Sequence, residues 1–217
     1  LRALAEELGM LASRQNALHP SDELPSFLAL PPGRRRKSLF DAYCATALWC
    51  ELFHVPCLTI RTSGPRRPVP EAIGAARRRV VAEIAELPPG HWIPVDHLVD
   101  RLRRRAYEFL LPRRWPASSY GLSHWAPDPY SGDNAWNWVF EEVTEAEDGW
   151  DLVEGGFIRV VATQALHWLG LVEVGYRDDQ PVAFRITADG AGILRGQPVA
   201  EGPLPAPNVV IQPNFQL

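Results

Sequence analysis

The order of segments along residues 65–196 constrains the fold of this 217-residue chain more than any other feature. Three segments carry apolar residues at helical spacing, and two later segments alternate apolar and polar residues as half-buried strands do. In chain order they are a helix over 69–87, a short extended piece over 92–95, helices over 97–111 and 152–169, and strands over 171–177 and 182–187. Three helices followed by a β-hairpin is the order of a winged helix, whose hairpin is the wing. The sequence therefore predicts an α+β, predominantly helical fold that contains a winged helix.

Two proline-rich segments indicate where this domain begins and ends. Residues 56–70 and residues 197–207 each contain four prolines, which is typical of linkers. We predict an N-terminal helical subdomain (1–64), a winged-helix domain (65–196) with a tryptophan-rich insert (112–150), and a linker with the first strand of a following, truncated domain (197–217). The chain is thus interpreted as a fragment of a longer protein.

Local signals refine the predicted helices. Apolar spacing predicts a helix over 1–14 and a strong helix over 38–53 that ends before Pro56. Asp96 is a plausible N-cap for the helix over 97–111, because its carboxylate can accept from the first backbone amides. In the helix over 152–169 we expect these residues in the core: Val160, Val161, Ala165, Leu166, Trp168 and Leu169.

The charge is divided unevenly along the chain. The net charge is −4, but residues 1–117 hold 18 basic and 12 acidic residues, whereas residues 118–217 hold 4 and 14. Lys37 is the only lysine, so cationic contacts depend on arginine, whose planar guanidinium suits phosphate and carboxylate. Such a chain can attract a polyanion on one side and repel it on the other.

The arginines supply the candidate DNA contacts. Four lie in the helix over 97–111, and its flanks and the helix over 69–87 add more. We predict phosphate contacts by Arg77, Arg78, Arg101, Arg103, Arg104, Arg105, Arg113 and Arg114, and contacts from the wing by Arg177 and Arg185. The alternative is a solvated helix face paired with Asp96, Asp100 and Glu108 at i,i+4 spacing.

The helix over 152–169 is a poor candidate for reading DNA bases. Its only cation is Arg159, and Asp151 and Glu154 stand at its start, where they would repel phosphate. We therefore expect any DNA contact to come from the helix over 97–111 or from the wing rather than from insertion of this helix into a groove.

The insert holds five of the eight tryptophans. Aromatic rings beside polar groups can stack on unpaired bases. Few basic residues accompany these rings, so a small aromatic core that folds the long loop down is the favoured interpretation. A catalytic pocket formed by His124, Asp128, Trp136 and Glu141 is a third, weaker hypothesis.

Cysteine usage and motifs point away from catalysis and metal binding. Cys44, Cys50, His54 and Cys57 are residue types that bind zinc, but their spacing matches no familiar zinc pattern. Three cysteines cannot form a closed disulfide framework, and no signal peptide or membrane-length apolar run is present, so we expect a cytoplasmic location. We expect no enzyme activity, no cofactor and no metal site.

One stretch resembles a known family. The resemblance rests on three segments. They are the segment that ends in LHWLGLV (166–172), the segment ITADG (186–190), and VIQPNF (210–215), which follows a proline-rich gap. The pattern is similar to the helicase-associated module that forms the N-terminal domain of XPB-type DNA repair helicases. The resemblance implies a winged-helix part linked to DNA repair or remodelling, with DNA, a helicase or another repair protein as partner.

Together these features predict a non-enzymatic DNA-binding accessory module associated with a helicase or with repair. The alternative is a protein–protein interaction scaffold that uses the tryptophan-rich insert or the acidic C-terminal half. A basic face that is already paired with carboxylates, beside an exposed apolar patch, would favour the scaffold.

Overall fold

The computed structural model of the chain describes residues 2–14, 17–59, 71–111, 139–140 and 146–198. The helices are α1 (Arg2–Glu7), α2 (Glu23–Ala29), α3 (Pro32–Ala45), α4 (Glu71–Ala85), α5 (Val95–Arg105), α6 (Ala146–Leu152), α7 (Glu154–Val160), α8 (Leu166–Trp168) and α9 (Ala188–Leu194). The strands are β1 (Leu11–Arg14), β2 (Ala17–Pro20), β3 (Leu58–Thr59), β4 (Ile93–Pro94), β5 (Val139–Phe140), β6 (Val172–Arg177) and β7 (Gln180–Ile186). Helices predominate, which confirms the predicted α+β class. No described helix combines the length and apolar character that a membrane crossing requires.

The helix predicted over 1–14 is only partly present. α1 ends at Glu7, and Gly9 follows with φ +66°, the left-handed conformation with which glycine commonly ends a helix. The chain then forms an antiparallel hairpin in which Leu11 pairs with Pro20. The helix therefore ends at this glycine, although the apolar residues keep helical spacing beyond it.

The helix predicted over 38–53 begins and ends earlier than expected, as α3 (Pro32–Ala45). Proline is favoured in the first helical turn, because its missing N–H would have no partner there. Beyond α3, the carbonyl oxygens of Thr46 and Trp49 accept hydrogen bonds from Arg77, at 3.1 and 2.9 Å. These tertiary contacts replace continuation of the helix, which intrinsic propensity alone would favour.

β7 lies in the middle of a three-stranded antiparallel sheet of order β4-β7-β6. Ile93 pairs with Phe184, and Val172 pairs with Ile186. β6 and β7 form the predicted hairpin. Asp178 and Asp179 connect them with positive φ angles of 49° and 60°. Two consecutive left-handed residues match the twist of the flanking strands in such two-residue turns.

Residues 154–168 form one continuous helical segment, here called the central helix. It comprises α7, a π-helical turn (Val161–Ala165) and α8, and Gly170 ends it with φ +70°. The segment is buried along most of its length, since Phe157, Ile158, Val161, Ala162 and Leu166 have no exposed surface. It therefore forms the middle of the core.

The N-terminal residues cover one side of the central helix. A Cβ placed on Gly156 would lie 2.9 Å from Cγ1 of Val55, so the side chain of Val55 packs directly on the backbone of the central helix. Leu52 of the N-terminal part and Ile73 of α4 belong to one buried cluster. The regions predicted as 1–64 and 65–196 thus share a continuous core, and the expected boundary at residue 65 falls outside the described residues.

Candidate functional site

Two arginines of α5, Arg101 and Arg105, lie beside two carboxylates at the end of α4. These are Glu83, in the last turn of α4, and Glu86, which follows it. Arg101 Nε is 2.7 Å from Oε2 of Glu83, and its Nη2 bonds Glu86. Arg105 Nη1 lies 3.0 Å from the same Glu83 oxygen and 2.8 Å from Oε2 of Glu86. Pairing with carboxylates was the predicted alternative, but the partners come from another part of the chain rather than from α5 itself.

Glu83 is the centre of this network. Its side chain is 2% exposed and is also bonded by Arg79. Burial alone would raise the pKa of Glu83, but hydrogen bonds from Arg101 and Arg105 and the charge of Arg79 outweigh it and hold the pKa below 4.5. The hydrogen bond of Arg105 to Glu86, and to a lesser extent its hydrogen bond to Glu83, raises the pKa of Arg105. These guanidiniums are therefore engaged within the protein.

The other two α5 arginines differ from this pair. Arg103 Nη1 is 3.2 Å from Oδ2 of Asp151, and its guanidinium lies 5.5 Å from the ring centre of Trp150. Arg104 is exposed and has no carboxylate partner within the described part of the chain. Three of the four guanidiniums are thus paired with carboxylates of the protein, whereas the DNA prediction depended on four that project together into water.

Arg77 was expected to contact phosphate, and the structure corrects this. Its side chain has no exposed surface, and its Nε is 2.6 Å from Oε1 of Glu51, which is equally buried. Burial would lower the pKa of Arg77, but the bond and charge of Glu51 raise it overall. A buried, fully bonded guanidinium cannot reach a polyanion, so Arg77 is a core residue. Arg78 is exposed and donates to the carbonyl of Cys44 at 3.3 Å.

The hairpin of β6 and β7 carries the two remaining predicted DNA contacts within the described residues, Arg177 and Arg185. Arg177 is exposed at the end of β6. Arg185 bonds Glu173 and lies 4.8 Å from the ring centre of Trp92. Glu173 and the turn carboxylates Asp178 and Asp179 are exposed beside these two cations, so the hairpin carries more negative than positive charge. Arg113 and Arg114 lie outside the described residues, as do His124, Asp128, Trp136 and Glu141.

A different surface stands out in the described residues. Leu48, Trp49, Phe53, His54 and Trp168, here called the aromatic patch, come from the segment after α3 and from the end of the central helix. Leu48 is 57% exposed, and Phe53 and Trp168 are each 53% exposed. The rings of Trp49 and His54 stack with centroids 4.5 Å apart, and Trp168 meets both nearly at right angles.

A cleft adjoins the aromatic patch. It is lined by uncharged residues of α1, α3, the segment after α3 and the central helix, including Leu4, Tyr43, Trp49 and Trp168. The buried Nε1 of Trp49 has no hydrogen-bond partner within the described residues. The hydroxyl of Tyr43 donates to Oε1 of Glu51 at 2.7 Å, and burial raises the pKa of Tyr43 well above 10.0. An apolar group fits this lining better than a charged one.

Sequence reasoning placed Trp168 in the core, and this is wrong, because half of its surface is exposed. Helical spacing put it beside Ala165 and Leu169, which are buried. The signal that could have identified it is its position: a large aromatic residue two positions before Gly170 lies at the end of a helix, where the surface is near.

Cys50 and Cys57 are buried, and Cys44 is partly buried. Burial raises the pKa of Cys44 to about 11 and that of Cys50 to about 12. In the described ranges there is no group of three or more His, Cys, Asp or Glu residues that could hold a metal ion. His54 instead stacks on Trp49, at 4.5 Å between ring centroids. The thiols are therefore poor nucleophiles at neutral pH.

Comparisons with protein-family models, with curated proteins and with solved structures find no match to this chain. The resemblance to the helicase-associated module therefore stays a prediction. Two features of the described residues bear on function: arginines that are largely paired within the protein, and the exposed side chains of the aromatic patch.

Proposed function

We propose that this chain is a protein-binding module of winged-helix architecture and that the aromatic patch is its binding surface. The exposure of Trp168 beside the rings of Trp49 and His54, together with the exposure of their chain neighbours Leu48 and Phe53, carries the proposal. Large apolar side chains that are half exposed and adjacent to one another cost free energy in water, which burial against a partner recovers. Tryptophan is also enriched among the residues that dominate the binding energy of interfaces.

The sheet order supports the architecture. In a winged helix the short strand between the first two helices pairs with the second strand of the hairpin, which is the relation of β4 to β7. α4, α5 and the central helix supply the three helices. The third helix of such folds normally enters the DNA groove, but here Val55 and Leu52 pack into the core around it, so its surface for base contact is reduced.

The pairing of the arginines supports a protein partner over DNA. Arg101 and Arg105 are bonded to Glu83 and Glu86, and Arg103 to Asp151. Phosphate neutralisation, which provides most of the affinity for DNA, would have to break these pairs. DNA binding stays a prediction that depends on the exposed Arg78, Arg104 and Arg177 and on Arg113 and Arg114, which lie outside the described residues.

A display library of random 16-residue peptides, selected on the whole chain, tests the proposal. Selected peptides are synthesised, and their dissociation constants are measured by fluorescence anisotropy with the wild type and with Trp168→Ala. Truncation of a central interface residue costs about 2 kcal/mol or more, so we expect at least about 30-fold weaker binding. The matched control is Tyr176→Ala on the wing, since Tyr176 is 60% exposed and lies outside the patch.

The same variants are titrated with single-stranded, duplex and forked DNA at two salt concentrations. If the selected peptides bind Trp168→Ala as well as they bind the wild type, the aromatic patch is not the binding surface. DNA binding that weakens steeply with salt and is unaffected by Trp168→Ala, in a chain that yields no patch-dependent peptide, would favour the accessory-module prediction instead.

A further inference from the structure

We propose that two copies of this chain associate through their β6 strands, which pair antiparallel and join the two sheets into one. This contact goes beyond the proposed function and does not depend on the aromatic patch. Its basis is the outer edge of β6 and the position of two opposite charges along that strand.

β6 is an outer strand of its sheet in the described part of the chain, since the strand order is β4-β7-β6. The backbone of Leu171, just before β6, is directed at β7, because its carbonyl accepts from the backbone N–H of Thr187 at 3.0 Å. Successive residues of a strand direct their backbone groups to opposite sides. Those of Val174 and Tyr176 are therefore directed away from β7.

An outer strand is a template for pairing with another chain unless lysine, proline or a neighbouring element protects it. β6 (Val172–Arg177) contains neither lysine nor proline. His167 protects only its start, where Nδ1 lies 3.2 Å from the carbonyl of Val172. The backbone groups of Val174 and Tyr176 are thus the ones offered to a second strand.

One antiparallel register matches the charges of the two strands. When Gly175 lies opposite Gly175 of the second copy, Glu173 lies opposite Arg177, and the pair occurs twice by symmetry. Opposite charges at directly opposed positions stabilise strand pairing. The turn carboxylates then lie opposite the uncharged residues at the start of the strand. A shift of two residues in one direction places Glu173 opposite Gly175, and in the other direction opposite Asp179, which repels it.

Both charged side chains are available for this contact. Arg177 is exposed and has no carboxylate partner among the residues that the structure describes. Glu173 is bonded by Arg185, and both of these bonds go to Oε2. Its Oε1 is left for the guanidinium of Arg177 from the second copy, so Glu173 would lie between two arginines in one row across the joined sheet.

Exposed aromatic surface lies along the same edge. Trp92 is 50% exposed, and its ring lies against Gly175, where a Cβ would be 3.3 Å from Cζ3. Gly175 lies at the twofold axis of the paired register, which brings the two Trp92 rings beside each other. Tyr176, which is 60% exposed, lies opposite Val174, and aromatic side chains pair favourably with β-branched ones. Pairing therefore removes apolar surface from water.

Sedimentation equilibrium of the whole chain tests the contact. We expect the wild type to dimerise, and Glu173→Arg and Arg177→Glu each to dimerise about tenfold or more weakly, because each places like charges opposite each other at both symmetric sites. Arg104→Glu, an equal charge change at an exposed arginine of α5, is the matched control and should dimerise like the wild type. Circular dichroism checks that every variant is folded.

An equimolar mixture of Glu173→Arg and Arg177→Glu separates the contact from a loss of folding. In the mixed dimer every arginine at these positions lies opposite a glutamate, so the mixture should associate about tenfold or more tightly than either variant alone. A wild type that stays monomeric at about 1 mM would overturn the proposal. So would single variants that dimerise like the wild type, or a mixture that associates no more tightly than its components.

Discussion

Arg77 and Glu51 form an ion pair with no exposed surface, with Nε 2.6 Å from Oε1. Arg77 also donates to the carbonyls of Tyr43, Thr46 and Trp49 at 2.5, 3.1 and 2.9 Å. One guanidinium thus connects α4 to the segment that carries the aromatic patch. The patch is held in place by a buried charge pair rather than by continuous helix.

Replacement of Arg77 by methionine should destabilise the fold by about 3–5 kcal/mol, because Glu51 would stay buried without a partner. Denaturant unfolding of the two forms measures the loss. The double variant Arg77→Met/Glu51→Gln should lose less than the sum of the two single variants, since both charges are then removed. A loss below about 1 kcal/mol for Arg77→Met would contradict the role assigned to the pair.

Glu83→Gln should make stability less dependent on acid pH. The pKa of Glu83 is held below its ordinary 4.5 by Arg101, Arg105 and Arg79, so its ionised form stabilises the folded state. That contribution is fully present above pH 4.5 and is lost as pH falls through the lower folded-state pKa. Wild type should exceed Glu83→Gln in stability at neutral pH, and the gap should close in acid.

Unfolding curves collected at several pH values check this expectation. Glu108→Gln is the matched control, since Glu108 is exposed on the chain that follows α5. A gap between wild type and Glu83→Gln that stays constant from neutral pH into acid would contradict the role of the ionised carboxylate.

Two glycines of α9 should respond oppositely to alanine. A Cβ at Gly190 would lie 2.1 Å from the carbonyl oxygen of Leu171, whereas among the described residues a Cβ at Gly192 would meet only Gln197, at 3.9 Å. Gly190→Ala must displace backbone and should lower the melting temperature by several degrees. Gly192→Ala should raise stability by about 0.5–1 kcal/mol, because alanine costs less entropy in a helix. Thermal melts of both variants distinguish them, and equal melting temperatures would refute the expectation.

If the chain binds DNA, the contacts should come from exposed arginines. Arg104→Ala and Arg177→Ala should then weaken binding and each reduce the salt slope by about one unit. Arg101→Ala should have a smaller effect on affinity, since this guanidinium is bonded to Glu83 and Glu86. Anisotropy over a salt series measures both quantities, and an equal effect of all three substitutions would contradict the assignment.

Several elements were predictable because their signals are local. The hairpin of β6 and β7 was predicted from alternation in two segments joined by residues 178–181, although the structure shortens the connection to two residues, and the end of the central helix was predicted from Gly170. The helix over 97–111 was predicted too long, since α5 ends at Arg105. Its proposed N-cap, Asp96, instead accepts from Arg159 at 2.8 Å, a residue 63 positions away.

The aromatic patch was not predictable, because it joins residues more than a hundred positions apart. Trp49 and Trp168 come within 6.0 Å between ring centroids only when the segment after α3 folds over the central helix. In the sequence both tryptophans have the apolar neighbours of core residues. Whether such a side chain is exposed depends on which other elements pack over it. Periodicity cannot show this, because it describes the faces of one helix at a time.

The sequence by itself determined the predominance of helix and, within residues 71–186, the order of the long helices and the position of the β6–β7 hairpin, since these depend on periodicity, glycine and turn chemistry over a few residues. Only the tertiary structure decided which groups the arginine side chains contact. A run of guanidiniums is equally compatible with solvent, phosphate or internal carboxylates, and the choice depends on whether Glu51, Glu83 and Glu86 come within bonding distance. That distance is set by the packing of separate elements, which no local pattern encodes.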